Sequence, residues 1–382
     1  VTLKSVACID DLRRIAHRKV PRDFMDYYES GSYSEATLAS NRHDLAQIKI
    51  RQHVLAGASN RELSQSLLGE KITLPFALGP IGMTGMAHRD GEIAAARAAE
   101  RAGIPYTLST MSICSIEDVA AAVEKPFWFQ LYFMKDRGFV SDLITRARAA
   151  KCSALVLTVD LQVLGQRHRD VRNGLFVPPR VRLGTIAHLL SKPAWIAGVL
   201  LGKRKTFGNL HGRIAGTEHL RSYMEWIHSQ FDQTLHWDDV AWVREQWPGK
   251  LILKGILDVN DARQAVKTGA SAIVVSNHGG RQLDGAPSAI SMLPRIADAV
   301  GSDIEILFDS GIRSGQDVFR ALALGARACL LGRAYLYGVC AAGEAGASKA
   351  IDIIAKELDV TMALAGVRTI GSITGDCVVA DR

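Results

Sequence analysis

The residues in this chain best suited to chemistry stand at the ends of apolar runs. Residues 272–285 read Ala-Ile-Val-Val-Ser-Asn-His-Gly-Gly-Arg-Gln-Leu-Asp-Gly. The β-branched start predicts a buried parallel strand. It stops at Ser276, so the polar residues fall at the strand's C-terminal edge, where α/β folds bind ligands. Histidine is the side chain best suited to moving protons near neutrality, which makes His278 a candidate acid or base. Arg281 carries a planar fork that fits a carboxylate. Gly279 and Gly280 allow a tight turn close to a ligand. Two further run ends, Asp309-Ser310-Gly311-Ile312-Arg313 and Gly332-Arg333, combine pliable backbone with fixed positive charge. In a barrel, the loops after strands seven and eight commonly hold a phosphate.

Positioning these groups requires a repeated strand-helix unit. Eight short apolar runs occur: 72–78, 106–109, 127–132, 154–159, 251–254, 272–276, 304–308 and 328–331. Helical patterns lie between them at 91–102, 116–123, 138–150, 259–268, 288–299 and 315–324. This rhythm predicts an α/β fold, a TIM (β/α)8 barrel. A doubly wound sheet is the competing fold, but G-x-G-x-x-G is absent. Two amphipathic stretches, 9–20 and 22–29, predict N-terminal helices, followed by a polar and mixed stretch to about Gly69. The whole chain, 1–382, reads as one domain with its barrel at about 72–350. The rhythm breaks after strand four, where an insertion of about 161–235 is expected.

The chain has 382 residues, 48% apolar and 22% charged, ordinary globular material. The six cysteines form no Cys-x-x-Cys pair, so free thiols are expected rather than a disulfide frame or zinc site. The polar start, Val-Thr-Leu-Lys-Ser, does not read as a signal peptide. Net charge is +7, and residues 171–217 hold eight basic residues and no acidic one. Elsewhere 38 basic residues face 39 acidic ones. Such local basicity argues against a nucleic-acid binder.

Ser276-Asn277-His278-Gly279-Gly280-Arg281-Gln282-Leu283-Asp284 resembles the active-site motif of the FMN-dependent α-hydroxy-acid dehydrogenases and oxidases. The resemblance runs from the Tyr27 region to the C-terminus and implies a tightly held FMN. By position it implies that Pro80, Ile81 and Gly82 contact the flavin through backbone. Ser109, Gln130 and Thr158 would hydrogen-bond its ring system, with Lys254 beside it. Ser276 would touch the ribityl chain, while Asp309, Gly311, Arg313, Gly332 and Arg333 would bind ribityl and phosphate. For substrate, it implies that Arg281 and Arg167 grip a carboxylate, Tyr27 adds a hydroxyl, and Tyr132 bonds the reacting hydroxyl. His278 would be the base and Asp160 its orienting carboxylate, although Asp160 could instead cap a helix or pair with Arg167. The reaction implied is oxidation of a 2-hydroxy acid to a 2-oxo acid.

Stretches 33–38, 128–132 and 254–258 look most like bacterial L-lactate dehydrogenases, and Met83 and Met111 suit a small apolar pocket. L-mandelate or another 2-hydroxy acid is the alternative substrate. The basic segment at about 176–210 includes the apolar run 194–201, too short to span a bilayer. Its composition predicts a monotopic anchor, with Trp195 dipping into the membrane and Lys203, Arg204 and Lys205 on anionic headgroups. This implies a quinone-linked enzyme at the cytoplasmic face of a bacterial inner membrane; a soluble oxidase making peroxide is the alternative. Family analogy adds a homotetramer. A rival enzyme class would need a catalytic cysteine, for which Cys114 is the one candidate, and a non-catalytic flavin-binding protein is the third reading.

Overall fold

The computed structural model describes residues 3–57, 59–173, 188–200, 202–212, 225–227 and 229–379. Eight parallel strands carry the site: β1 Phe76–Leu78, β2 Thr107–Ser109, β3 Trp128–Tyr132, β4 Ala154–Thr158, β5 Lys250–Ile256, β6 Ala272–Val275, β7 Glu305–Phe308 and β8 Ala328–Leu331. They pair in chain order, and β8 pairs back onto β1. A parallel bridge between Leu78 and Tyr106 links β1 to the start of β2 and closes the ring. This is the expected TIM barrel.

Strand alternation decides what points where. Ala77, Trp128, Val156, Ile252, Val274, Leu307 and Leu330 belong to one buried cluster, the barrel interior. Their neighbours in sequence, such as Phe129, Leu157, Leu253 and Phe308, join the larger core between strands and helices. Continuing the inward set by two residues reaches Gly79, Gln130, Thr158, Lys254, Ser276, Asp309 and Gly332. The apolar interior therefore becomes polar or side-chain-free at the C-terminal rim on almost every strand. At the opposite end, a hairpin of Gln65–Leu67 and Glu70–Ile72 places Leu67, Leu68 and Ile72 in the interior cluster. The expected run 72–78 is thus divided: Ile72 plugs the barrel floor and the strand begins at Phe76.

Helices α1 Ile9–Lys19 and α2 Arg22–Glu29 lie where the apolar spacing puts them. The mixed stretch after them contains α3 Ala36–Gln47, whose buried residues are Thr37, Asn41 and Leu45. Two of the three are polar, so no apolar stripe announced it. The last helical stretch, Arg333–Leu364, runs past residue 350 and breaks at Ala342 and Gly343. Val379 then pairs with Lys49, tying the end of the chain back to the segment after α3.

Residues 174–187 and 201, part of the expected anchor, lie outside the described residues. What is described corrects the reading of Trp195. That ring is 6% exposed, its Nε1 donates to Met86 O at 2.8 Å, and it packs on Phe24. Val199, Phe207 and Leu210 are buried too. Arg204 is held between Asp90 at 2.6 Å and Asp118 at 2.7 Å, so it is not a free headgroup ligand. Asn209 donates to Ser109 O, Thr110 O and Ser112 Oγ and accepts from Ile116 N. At these positions apolar composition reflects packing on the barrel.

Where the last helix breaks, backbone meets backbone. A Cβ on Gly346 would stand 1.9 Å from Gly338 O, and one on Gly338 2.2 Å from Gly346 O. Neither neighbour is a side chain that can turn away. Gly346→Ala is expected to cost about 3 kcal/mol or more, seen as a lower urea midpoint. An unchanged midpoint would show that this contact is not close in solution.

Candidate active site

The rim residues converge on one cavity. It is lined by Tyr27, Pro80, Ile81, Gly82, Tyr132, Thr158, Arg167, Lys254, His278, Arg281, Asp309, Gly311, Arg313, Gly332 and Arg333. Four other expected residues, Ser109, Gln130, Asp160 and Ser276, stand behind this lining. Ser109 Oγ donates to Gln130 Oε1 at 3.1 Å, and Gln130 Nε2 donates to Thr158 Oγ1 at 3.0 Å. Ser276 Oγ accepts from Lys254 Nζ and from His278 N, each at 3.1 Å. Met83 and Met111 also reach the cavity.

His278 is held from both sides. Its backbone is left-handed, φ +58, and Gly279 and Gly280 continue that conformation at +67 and +74. Non-glycine residues enter this region rarely, and such strain clusters at functional sites. Its Nδ1 lies 2.8 Å from Asp160 Oδ1. That leaves Nε2 as the nitrogen available for proton exchange. Burial acts to raise the Asp160 carboxyl, but facing His278, reinforced by Lys254, holds it below its ordinary value. Asp160 Oδ2 is buried without a hydrogen-bond partner among the described residues. Gly255 makes room for it: a Cβ there would stand 2.6 Å from Asp160 Cγ, and φ is +111. The β5–β6 register shifts between Lys254 and Ile256, so this glycine also sits in a strand irregularity.

Lys254 is fully committed. Burial opposes its charge, but Asp309 at 3.0 Å and Asp160 raise its pKa above the usual lysine value. Arg281 Nη1 donates to Tyr27 O at 2.6 Å and Ser30 O at 3.0 Å. Arg333 donates to Tyr28 O, Gly279 O and Ser30 O. Arg313 donates to Ile312 O. Burial works against all three guanidinium charges, and Arg167 adds to this at Arg281, as do Arg281 and Arg313 at Arg333. None has a carboxylate within ion-pair distance among the described residues. Arg167 has one, Asp170, at 3.4 Å. Buried charge without a counter-charge is costly, so the cavity is built for anions. Gly332 leaves its surroundings open, since a Cβ there would meet nothing within 4 Å. A phosphate at Arg313 and Arg333 and a carboxylate at Arg281 and Arg167 both suit this donor set.

Sequence reasoning missed several members. Ser310, left-handed at φ +78, bonds Gly279 N through Oγ at 3.0 Å and so fixes the turn after His278. Gln282 Nε2 holds Asp160 O at 2.7 Å. Leu161, Leu164, Phe207, Ile227 and Phe231, all between β4 and β5, supply apolar wall. Only Phe207 falls within the segment assigned to lipid; the other four are scattered through the connection and form no apolar run that could mark them. Cys114 is fully buried beside Glu92, and burial pushes its thiol far up. Burial thus disfavours the thiolate that a nucleophilic role requires.

A sequence-family model described as FMN-dependent dehydrogenase matches residues 16–380. The chain is 47% identical over 378 residues to an L-lactate dehydrogenase of Ectopseudomonas mendocina, covering 99% of this chain and all of that protein. It is 48% identical over 375 residues to an L-lactate dehydrogenase of Stenotrophomonas maltophilia, covering 98% and 99%. The crystal structure of the monotopic membrane protein (S)-mandelate dehydrogenase superimposes with a TM-score of 0.93 at 34% identity, covering 98% and 99%.

The uncompensated arginines give a test that needs no turnover. Phosphate should stabilise cofactor-stripped protein against thermal unfolding, by roughly 2.7 kcal/mol at a hundredfold excess over its dissociation constant. Arg313→Met should remove most of that gain. Equal stabilisation of both proteins would place the anion elsewhere.

Proposed function

The chain belongs to the FMN-dependent dehydrogenase family, and from that premise we propose that it oxidises L-lactate to pyruvate and passes the electrons to a membrane quinone. FMN supplies the two-electron acceptor. Pro80, Ile81 and Gly82 would lie against it, and the Ser109–Gln130–Thr158 chain would meet its ring polar edge. Lys254 would set a fixed ammonium beside the ring, a preorganised charge that favours the reduced form. Ser276 and Asp309 would reach the ribityl chain. Gly311, Arg313, Gly332 and Arg333 would cradle the phosphate.

The observation that carries the reading is the His278–Asp160 pair facing a cavity whose arginines lack counter-ions. In it, Arg281 and Arg167 hold the substrate carboxylate and stack on the Tyr27 ring, at 5.0 and 5.6 Å from its centre. Tyr132 bonds the substrate hydroxyl. Burial, then Tyr27 and Asp160, push its phenol well above the ordinary tyrosine value, so it stays a neutral donor. His278 takes the proton at Nε2, and Asp160 stabilises the imidazolium that results. Met111 and the apolar wall from the β4–β5 connection favour a small side chain such as lactate's methyl. Oxidation of L-2-hydroxy acids as a class stands on the family; lactate is favoured by the two curated relatives.

Membrane association is supported by the monotopic mandelate dehydrogenase. No helix among the described residues is long and apolar enough to cross a membrane. We place the protein peripherally, on the cytoplasmic face of the bacterial inner membrane, as a homotetramer. Contact then falls to the segment from 176, to Leu190, which is 70% exposed, and to the exposed Lys203 and Lys205. With Arg204 engaged, two lysines rather than three basic residues act there, at roughly 1 kcal/mol each.

Anaerobic L-lactate should bleach the flavin band near the usual flavin wavelength, and D-lactate should not. Bleaching by L-mandelate alone would assign the other substrate. His278→Gln should slow bleaching by about 10²–10⁴-fold with FMN retained, and Asp160→Asn should act in the same direction. Unchanged rates would remove the pair from the chemistry. Lys203→Glu with Lys205→Glu should shift the protein from anionic vesicles to the supernatant; equal pelleting would place the membrane contact elsewhere.

A further inference from the structure

A second cavity of ≈ 670 Å³ lies beside the first, between the ends of β4 and β5 and the helix Trp237–Gln246. The two share Phe133, Thr158, Leu164 and Gln282 as a common wall. Its throat is apolar, formed by Leu157, Val159, Leu235, Trp237 and Val240. Its lip is apolar and open to solvent: Tyr33, Val163 and Leu283 are 50%, 51% and 72% exposed. No lysine or arginine lines it, whereas Asp160, Asp239 and Asp261 do. A second hydroxy acid or a phosphate would meet negative charge there. Negative charge disfavours an anion, and the apolar lining and open apolar lip suit a neutral, largely apolar ligand with a ring-sized body, for which this volume is ample. Thr158, in the shared wall, is one of the residues expected to meet the flavin ring. Asp160 lines this cavity and bonds His278, which lines the other.

We propose that this second cavity docks the ring of the quinone acceptor, with its apolar tail leaving past Val163 and Leu283. The inference rests on the quinone-linked reading above and adds where the acceptor binds. The overall exchange balances without another reactant: the 2-hydroxy acid gives up two electrons and two protons as its C–H and O–H bonds break. The quinone takes both pairs to become the hydroquinone. One wall's thickness between the cavities keeps electron transfer short while denying the quinone access to the carboxylate-binding arginines. His236 and Gln162 line the cavity and are of the type that can donate to a quinone carbonyl.

The test uses the holoenzyme and a short-chain azido-ubiquinone analogue. Photolabelling followed by peptide mass spectrometry should mark residues 157–165 and 235–240, with unlabelled quinone competing and L-lactate not competing. Leu235→Trp should fill the throat. It should lower L-lactate turnover with the quinone at least tenfold while turnover with ferricyanide stays within twofold, which also shows that the variant folds. Label confined to the first cavity or to the outer surface, or quinone turnover undiminished in Leu235→Trp, would overturn the site. A wild-type enzyme that L-lactate bleaches but quinone never reoxidises would overturn the quinone-linked reading itself, and the site with it.

Discussion

The mouth of the barrel depends on how buried guanidinium charge is kept in place before any ligand binds. Helix α2 ends at Glu29, so the last carbonyls of its C-terminal turn have no partner within the helix. Arg281 takes Tyr27 O and Ser30 O, and Arg333 takes Tyr28 O and Ser30 O. The negative end of the helix dipole thus faces two arginines that come from the ends of β6 and β8. Carbonyl dipoles offset part of the desolvation cost without neutralising the charge, so affinity for an anion survives. Carboxylates in the same places would have silenced the site. The N-terminal helices are therefore part of the anion-binding apparatus rather than a decoration on the barrel.

The same economy of position governs the proton-handling side. The left-handed run from His278 to Gly280 brings the histidine over the mouth, and a Cβ on Gly280 would strike Leu38 N at 2.6 Å. The turn is thus locked against the start of α3, whose Asn41 exchanges hydrogen bonds with Asn277 at 2.8 Å in both directions. Asp160 can come within bonding distance of His278 because Gly255 in the neighbouring strand has no side chain. Helix, turn and strand irregularity each remove one freedom from the imidazole. Preorganisation of this kind would let an imidazole accept a proton without rearrangement.

The convergence of the candidate site was legible in the sequence because each polar rim group follows an apolar strand by a fixed step. Lys254, Ser276 and Asp309 continue the inward-facing register, so their position at the rim follows from a period of two. The motif around His278 carries the family resemblance by itself. Two things were hidden. Helix α3 buries Thr37 and Asn41, and polar burial leaves no periodic stripe to read. The Gly255 accommodation of Asp160 joins residues far apart in sequence, and a glycine inside an apolar run carries no mark of its partner.

The connection between β4 and β5 was misread in part for a different physical reason. Local composition reports how much apolar surface must leave water, not what covers it. Trp195 has an indole N–H that finds Met86 O, a partner a bilayer interior does not offer. Asn209 spends both ends of its amide on the β2 loop, which fixes Phe207 as cavity wall. A segment so anchored cannot also lie flat in a membrane along its whole length. The connection therefore divides its roles: Leu190, Lys203 and Lys205 stay exposed, while Phe207 and Leu210 are buried against the barrel. Phe207 lines the same cavity as Arg167 and Arg281, so this part of the connection serves to enclose the site.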